Sequence, residues 1–319
     1  MPKRLDASSF NTKFRDGLVK KLKDKDLTDT TINFYIYNLE RLNGDKPLHD
    51  FSFLSDKDAI FKALEKFKPN TRRNYLISIV SLLTLDPKHK KLLSMYYDDM
   101  MQINKDLKAE EAKGIKTDTQ KKNWVPADEI DELRNKLRDA YDKIKDEANP
   151  SRSQYDALFR YLVLSLYTMI PPRRNKDYQE MEIIKGIKPD HKNNYLDVKN
   201  KEFIFNCFKN VKSEGQQVLK IPDDLMSVIN TYVRFHPLIE PGETEYQVPF
   251  LVDYEGKPLS GTSAMTKVLN KIFQKKVGST MLRHIYLSNK YGKIKEEMAN
   301  DAKAMSHSVA MQKDYIKKD

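Results

Sequence analysis

Near the C-terminus, Arg283 and His284 are followed by Met305-Ser306-His307-Ser308 and then by Tyr315, and this set of side chains could act on a phosphate ester. Breaking a phosphodiester without metal needs a nucleophile, positive charge for the non-bridging oxygens and an acid for the leaving 5′-oxygen. A tyrosine can serve as the nucleophile. Arginine suits the second task better than lysine, because its planar guanidinium is always charged and forks onto two oxygens at once. Upstream, Pro171-Pro172-Arg173-Arg174-Asn175-Lys176-Asp177-Tyr178 and Lys209-Asn210-Val211-Lys212-Ser213-Glu214-Gly215 supply further cations. Arg174 and Arg283 are the preferred phosphate clamp, with Arg173 as the fallback for Arg174.

The elements that must hold these groups are mostly helical. Residues 1–115 show helical apolar spacing throughout: Phe10, Phe14, Leu18, Val19 and Leu22 in a first helix, then Ile32, Tyr35, Ile36, Leu39 and Leu42 after a Thr28 cap and before Gly44. A helix over 55–67 precedes another that begins at Pro69-Asn70 and buries Tyr75, Leu76, Ile79, Val80 and Leu83. Lys68, Thr71, Arg72 and Arg73 surround its start, where free backbone N–H groups favour an anion, so this turn is expected to contact a DNA backbone. A long helix from 90 to 113 leads into the polar segment 116–124, which reads as a basic linker containing Lys121 and Lys122. Residues 125–319 form the second domain. It contains a mostly apolar helix over 153–170 ending at Pro171-Pro172, then short strands at 195–198, 202–208 and 217–221, with Ser213-Glu214-Gly215 as the turn between the last two. A further strand or packed turn falls at Pro249-Phe250-Leu251-Val252. The expected fold class is mainly α with a small antiparallel β-sheet, α+β.

The bulk numbers fit two domains in 319 residues. The 57 Lys+Arg against 46 Asp+Glu give a net charge of +11, which favours a polyanionic partner through counterion release. No run approaches the roughly 18 apolar residues of a membrane span. The opening residues carry no apolar signal core and Cys207 is the single cysteine, so an intracellular, reducing setting is expected. Scattered histidines and one cysteine give no zinc spacing, and no glycine-rich phosphate loop is present, so neither metal nor nucleotide cofactor is expected.

Taken singly, each candidate has an ordinary explanation: a surface arginine, a satisfied histidine, a hairpin charge, a tyrosine near a terminus. Their order and settings together resemble the active site of tyrosine recombinases, the phage-type integrase family, over both domains. The Pro-Pro-Arg-Arg-x-x-Asp-Tyr element looks especially like versions from large DNA viruses and mobile elements. The resemblance implies a helical core-binding domain and a catalytic domain closing as a C-shaped clamp on double-stranded DNA, working as a homo-tetramer on two DNA sites. It makes Arg174 the first arginine with Asp177 as its acidic partner, Lys212 the hairpin general acid with Lys209 as competitor, and Arg283 the second arginine. His307 matches the histidine of the Met-Gly-His-Ser element, with Ser306 in place of glycine, and Tyr315 matches the nucleophile that forms a 3′-phosphotyrosine. One departure stands out: Thr280 occupies the family's histidine in His-x-x-Arg, so the group that takes the tyrosine proton is open between water and His307, with His284 a weaker candidate. The same chemistry would serve a type IB topoisomerase, and the same fold could serve as a catalytically silent DNA-binding protein.

Overall fold

A computed structural model describes residues 12–317, and these divide into two compact units that meet in sequence at Ile115 and Lys116. The N-terminal unit is all helical: α1 (Lys13–Lys23), α2 (Asp29–Leu42), α3 (Lys57–Leu64), α4 (Pro69–Leu83) and α5 (Lys90–Ala112), with 3-10 turns at Ser52–Ser55 and Pro87–His89. Side-chain caps set several helix starts: Thr12 accepts from the Arg15 amide at 3.1 Å, and Thr28 from the Thr31 amide at 3.3 Å. The apolar stripes read from the sequence converge on one core containing Leu22, Ile36, Leu39, Leu76, Ile79 and Tyr96. Phe10, assigned to the first stripe, lies outside the described residues.

The C-terminal unit contains α6 (Asp118–Asn123), α7 (Ala127–Ile144), α8 (Arg152–Thr168), α9 (Asn175–Gln179), β1 (Met181–Lys185), β2 (Asn194–Asp197), β3 (Glu202–Phe205), α10 (Val211–Glu214), β4 (Gln217–Lys220), α11 (Asp223–Arg234), β5 (Tyr246–Pro249), α12 (Ala264–Phe273), α13 (Ser279–Ala304) and α14 (Val309–Tyr315). Helix α8 starts with a reciprocal Ser151–Gln154 capping box and buries Tyr155, Leu158 and every residue from Tyr161 to Tyr167. It is the central rod of this unit, packed by α7, α11, α12 and the first turns of α13. Its C-terminal end delivers the Pro171-Pro172-Arg173-Arg174 segment to the edge of that core.

The sheet has the order β4-β3-β2-β1-β5. It is mixed rather than antiparallel, because β1 pairs parallel to β2 while the other pairings are antiparallel. Strand β1 was not recognised in the sequence, having only five residues and no clear alternation. Gly186 permits the sharp exit from it: its φ is +70°, and a Cβ there would sit 2.7 Å from Glu245 Cγ and 3.0 Å from the Thr244 carbonyl oxygen. Two loop assignments also change. The segment 116–124 is not an open linker, since Thr117 and Gln120 form a capping box that starts α6, and the Lys276 amide donates to Asn123 Oδ1 at 2.9 Å. Ser213 and Glu214 belong to the one-turn helix α10, leaving Gly215, at φ +69°, and Gln216 between it and β4. Among the described residues no helix is long and apolar enough to cross a membrane.

Candidate active site

The two neighbouring arginines after α8 have different jobs. Arg173 is held from three sides: Nε donates to Asp177 Oδ2 at 3.1 Å, Nη1 donates to Gln217 Oε1 at 2.9 Å, and the guanidinium carbon lies 3.6 Å from the Phe205 ring centroid. Asp177 therefore partners Arg173, which corrects its assignment to Arg174. Burial pushes the Asp177 carboxyl up from its ordinary value, with Arg173 and then Arg174 pulling it back. Arg174 caps α9, is half-buried, and its guanidinium makes no hydrogen bond or ion pair among the described residues. Arg173 ties the helix start to β3 and β4, and Arg174 is the cation left available.

Arg283 approaches from α13. Its Nε donates to the Ser279 carbonyl at 3.4 Å and its Nη2 to Thr280 Oγ1 at 3.2 Å. Thr280 thus orients the arginine as a hydroxyl acceptor. The two arginine-bearing segments meet around Tyr167 on α8. Its phenol donates to Asn175 Oδ1 at 2.8 Å, next in sequence to Arg174, and Asn175 Nδ2 donates to Thr266 Oγ1 at 2.9 Å. Burial drives the Tyr167 phenol well above its ordinary range, and Arg283 is close enough to oppose that shift. Asn175, next in sequence to Arg174, and Arg283 are thus both close to Tyr167.

His307 and Tyr315 are brought to each other. Helix α13 ends in a Schellman turn, in which the His307 amide bonds the Ala302 carbonyl at 2.9 Å and the Ser306 amide bonds the Lys303 carbonyl at 3.2 Å. Ser306 has φ +54°, the left-handed conformation that glycine adopts without strain. That geometry gives a physical reason for a glycine at this position in Met-Gly-His-Ser elements. Ser308 then caps α14, accepting from the Met311 amide at 3.2 Å, and α14 folds back so that the Tyr315 ring stacks on His307 with centroids 5.7 Å apart at 17°. Both His307 ring nitrogens are buried without a hydrogen-bond partner among the described residues, while Tyr315 is 63% exposed.

These two pairs do not form one site within a single chain. Helix α13 is unbroken from Ser279 to Ala304, and at 1.5 Å per residue Arg283 and Ala304 lie about 32 Å apart along it. Leu282 and Ile285 anchor its start in the core, whereas from Leu287 to Asp301 no residue is fully buried. The second part of α13 is therefore an arm carrying the histidine and tyrosine at its tip. Sequence spacing alone could not reveal this, because a helix that turns back and one that runs straight contain the same motifs.

Lys209 and Lys212 are both exposed on the β3–β4 connection, with Lys212 inside α10. Phe208 lies 5.2 Å from the Arg173 guanidinium, so Lys209 leaves the sheet directly beside the Arg173–Arg174 segment. In the N-terminal unit, Lys68 caps α4 through its backbone, and the first turn carries Thr71, Arg72 and Arg73 with neither an acidic residue nor a side-chain cap. Arg72 Nε donates to the Phe67 carbonyl at 2.9 Å and Arg73 Nη1 to Asn70 Oδ1 at 3.1 Å. On α6, exposed Lys121 has a loose contact to Asp118 at 3.8 Å, and Lys122 is exposed. Among the described residues no group of three or more His, Cys, Asp or Glu is arranged to hold a metal ion. No family model matches the chain, and no curated protein matches it.

Proposed function

We propose that this chain breaks and rejoins double-stranded DNA as a site-specific recombinase or integrase of the tyrosine class. The observation that carries the reading is the Arg174 guanidinium, without a hydrogen bond or ion pair among the described residues, on the segment that Asn175 ties to Tyr167, with Arg283 near the same tyrosine and a lysine-bearing turn beside Arg173. Two guanidinium groups, Arg283 oriented by Ser279 and Thr280 and Arg174 open to an incoming oxygen, are suited to the charge that builds on a phosphate during in-line attack. In this scheme the Tyr315 oxygen attacks phosphorus, forming a 3′-phosphotyrosine and breaking the bond to the 5′-oxygen. Lys212 or Lys209 supplies the proton that the 5′-oxygen gains. The phenol proton passes to water or to His307, because the Thr280 hydroxyl is neither basic nor free, being engaged by Arg283. The ester keeps the energy of the broken bond, so the reverse attack by a 5′-hydroxyl reseals DNA without ATP.

DNA binding would draw on both units, with the α4 start and Lys121, Lys122, Arg173 and Lys209 on the phosphate backbone, closing as a clamp inside the cell. The working species would be a homo-tetramer on two DNA sites. The separation of Tyr315 from Arg283 along α13 favours a second reading, a DNA-binding protein of the same fold in which the chemistry is silent. A type IB topoisomerase would share the chemistry and differ in relaxing one duplex rather than exchanging two. Incubation with a pool of nicked duplex oligonucleotides and with supercoiled plasmid, without metal or ATP, followed by denaturing gels for adducts and exchanged strands and native agarose gels for topoisomers, separates these. A 3′-linked protein adduct with strand exchange supports the recombinase, an adduct with relaxation alone supports the topoisomerase, and binding without an adduct supports the silent protein.

A further inference from the structure

The lysine-bearing turn between β3 and β4 is held at its root by one side chain, that of Asn194, the first residue of β2. Its Oδ1 accepts from the Asn206 amide at 2.9 Å and from the Cys207 amide at 2.7 Å. Its Nδ2 donates to the Cys207 carbonyl at 2.9 Å and to the Asp177 carbonyl at 3.0 Å. Four bonds use the full capacity of a carboxamide, with two N–H donors facing its oxygen and two carbonyls facing its nitrogen. Asn194 is 2% exposed, so these partners depend on it rather than on solvent. The bond to Asp177 extends the reach of the arrangement, because Asp177 lies in α9 and its amide donates to the Arg174 carbonyl at 3.0 Å. The far end of the turn is tied to the same helix start. Gln217 Oε1 accepts from Arg173 Nη1 at 2.9 Å, and Gln216 Nε2 closes the root by donating to Asn206 Oδ1 at 2.6 Å. Lys209 and Lys212 lie between these ties.

We infer that Asn194 is a positioning residue for departure of the 5′-oxygen. By locking the root of the 206–216 turn to the backbone of α9, it sets where the proton-donating lysine, Lys209 or Lys212, stands relative to a phosphate held by Arg174. This role rests on the DNA-breaking reading. A general acid acts only within hydrogen-bond reach of the oxygen it protonates, and a misplacement of about 1 Å can cost about 10²-fold in rate. Lysine carries its ammonium on a flexible four-carbon stem and cannot supply that precision by itself. The backbone beneath it must, and both lysines sit on an exposed connection with no apolar core of its own. Asn194, buried under the root, is what joins that connection to the arginine-bearing helix start without touching DNA.

Changing the leaving atom separates positioning from folding. The duplex on which the full wild-type chain forms its adduct is made with oxygen or with sulfur at the 5′-bridging position of the cut bond, since a thiolate leaves without a proton. Asn194→Ala is assayed on both duplexes beside its melting curve. Gln216→Ala is assayed in parallel, because Gln216 is exposed and its loss loosens the same root without opening the core. On the oxygen duplex, cleavage is expected to slow about 10²-fold in Asn194→Ala and by a smaller factor in Gln216→Ala. On the sulfur duplex both variants are expected to match wild type. Equal slowing on oxygen and sulfur by a folded variant overturns the positioning role, and so does wild-type cleavage of the oxygen duplex by folded Asn194→Ala. If Asn194→Ala does not fold, Gln216→Ala decides: a loss rescued by sulfur supports the role, and no loss overturns it. A wild type that forms no adduct on any duplex of the nicked pool instead removes the DNA-breaking reading, and the positioning role with it.

Discussion

Arg173 and Arg174 differ enough in their surroundings that replacing each by alanine should produce opposite phenotypes. Arg173→Ala removes the Asp177 ion pair, the Gln217 hydrogen bond and the stack on Phe205 together. Asp177 is only 4% exposed and would be left without its main countercharge. Breaking a buried pair from one side costs about 3–5 kcal/mol. For a unit of this size each kcal/mol lowers the melting temperature by about 2–4 °C, so a fall of roughly 10 °C is expected. Arg174→Ala removes a guanidinium that supports no local structure and should change stability by about 0.5 kcal/mol or less. It should nevertheless abolish the covalent DNA adduct. Circular-dichroism melts of both variants, with adduct formation scored on the same preparations, provide the assay. Equal destabilisation by the two substitutions would refute the assignment of roles, and so would a normal adduct from a stable Arg174→Ala protein.

Further predictions concern pH, the general acid and the arm tip. Burial holds the His236 imidazole down at about 4 against an ordinary value of 6.5. Between those values the unfolded chain binds a proton that the folded chain refuses, so stability is lost as pH falls from about 6.5 to 4, by up to about 3 kcal/mol. Urea unfolding across that window should be flatter for His236→Gln than for wild type, and identical slopes would exclude the histidine as the cause. If Lys209 or Lys212 protonates the leaving 5′-oxygen, alanine at that position should slow cleavage about 10²-fold or more. A 5′-bridging sulfur, which leaves without a proton, should restore the rate, and no rescue at either position would remove both lysines from the role. Ser306→Gly relieves the left-handed strain and should stabilise the α13–α14 turn by about 1 kcal/mol, read as slower hydrogen exchange at the His307 amide. Faster exchange would contradict the assigned turn.

Helix was legible wherever apolar residues repeated on one face, as at Ile32, Ile36 and Leu39 or along α8, because burial of a stripe sets the helix regardless of its neighbours. The sheet was harder. Strand β1 is short, and its parallel pairing with β2 is set by the route of the 186–193 connection, which no local pattern encodes. At the site, the residue types of Arg174, Arg283, His307 and Tyr315 could be read as a set, whereas the left-handed backbone at Ser306 was not legible, because serine carries no local signal for a positive φ. The partner of Asp177 was not legible, since either of two adjacent arginines satisfies the same spacing and only the three-dimensional position of Gln217 and Phe205 separates them. Nor was the straight course of α13, because Gly292 can sit in a helix or break one at a difference of about 1 kcal/mol.

Covalent attachment of DNA to Tyr315 is the step on which the proposed chemistry depends. The full chain would be incubated with supercoiled plasmid and nicked duplexes, digested with nuclease and protease, and its peptides weighed for a nucleotide remnant. A phosphotyrosyl nucleotide is expected on the peptide containing Tyr315, absent from Tyr315→Phe and from Arg174→Ala. A remnant on another residue, or an adduct that survives Tyr315→Phe, would contradict it.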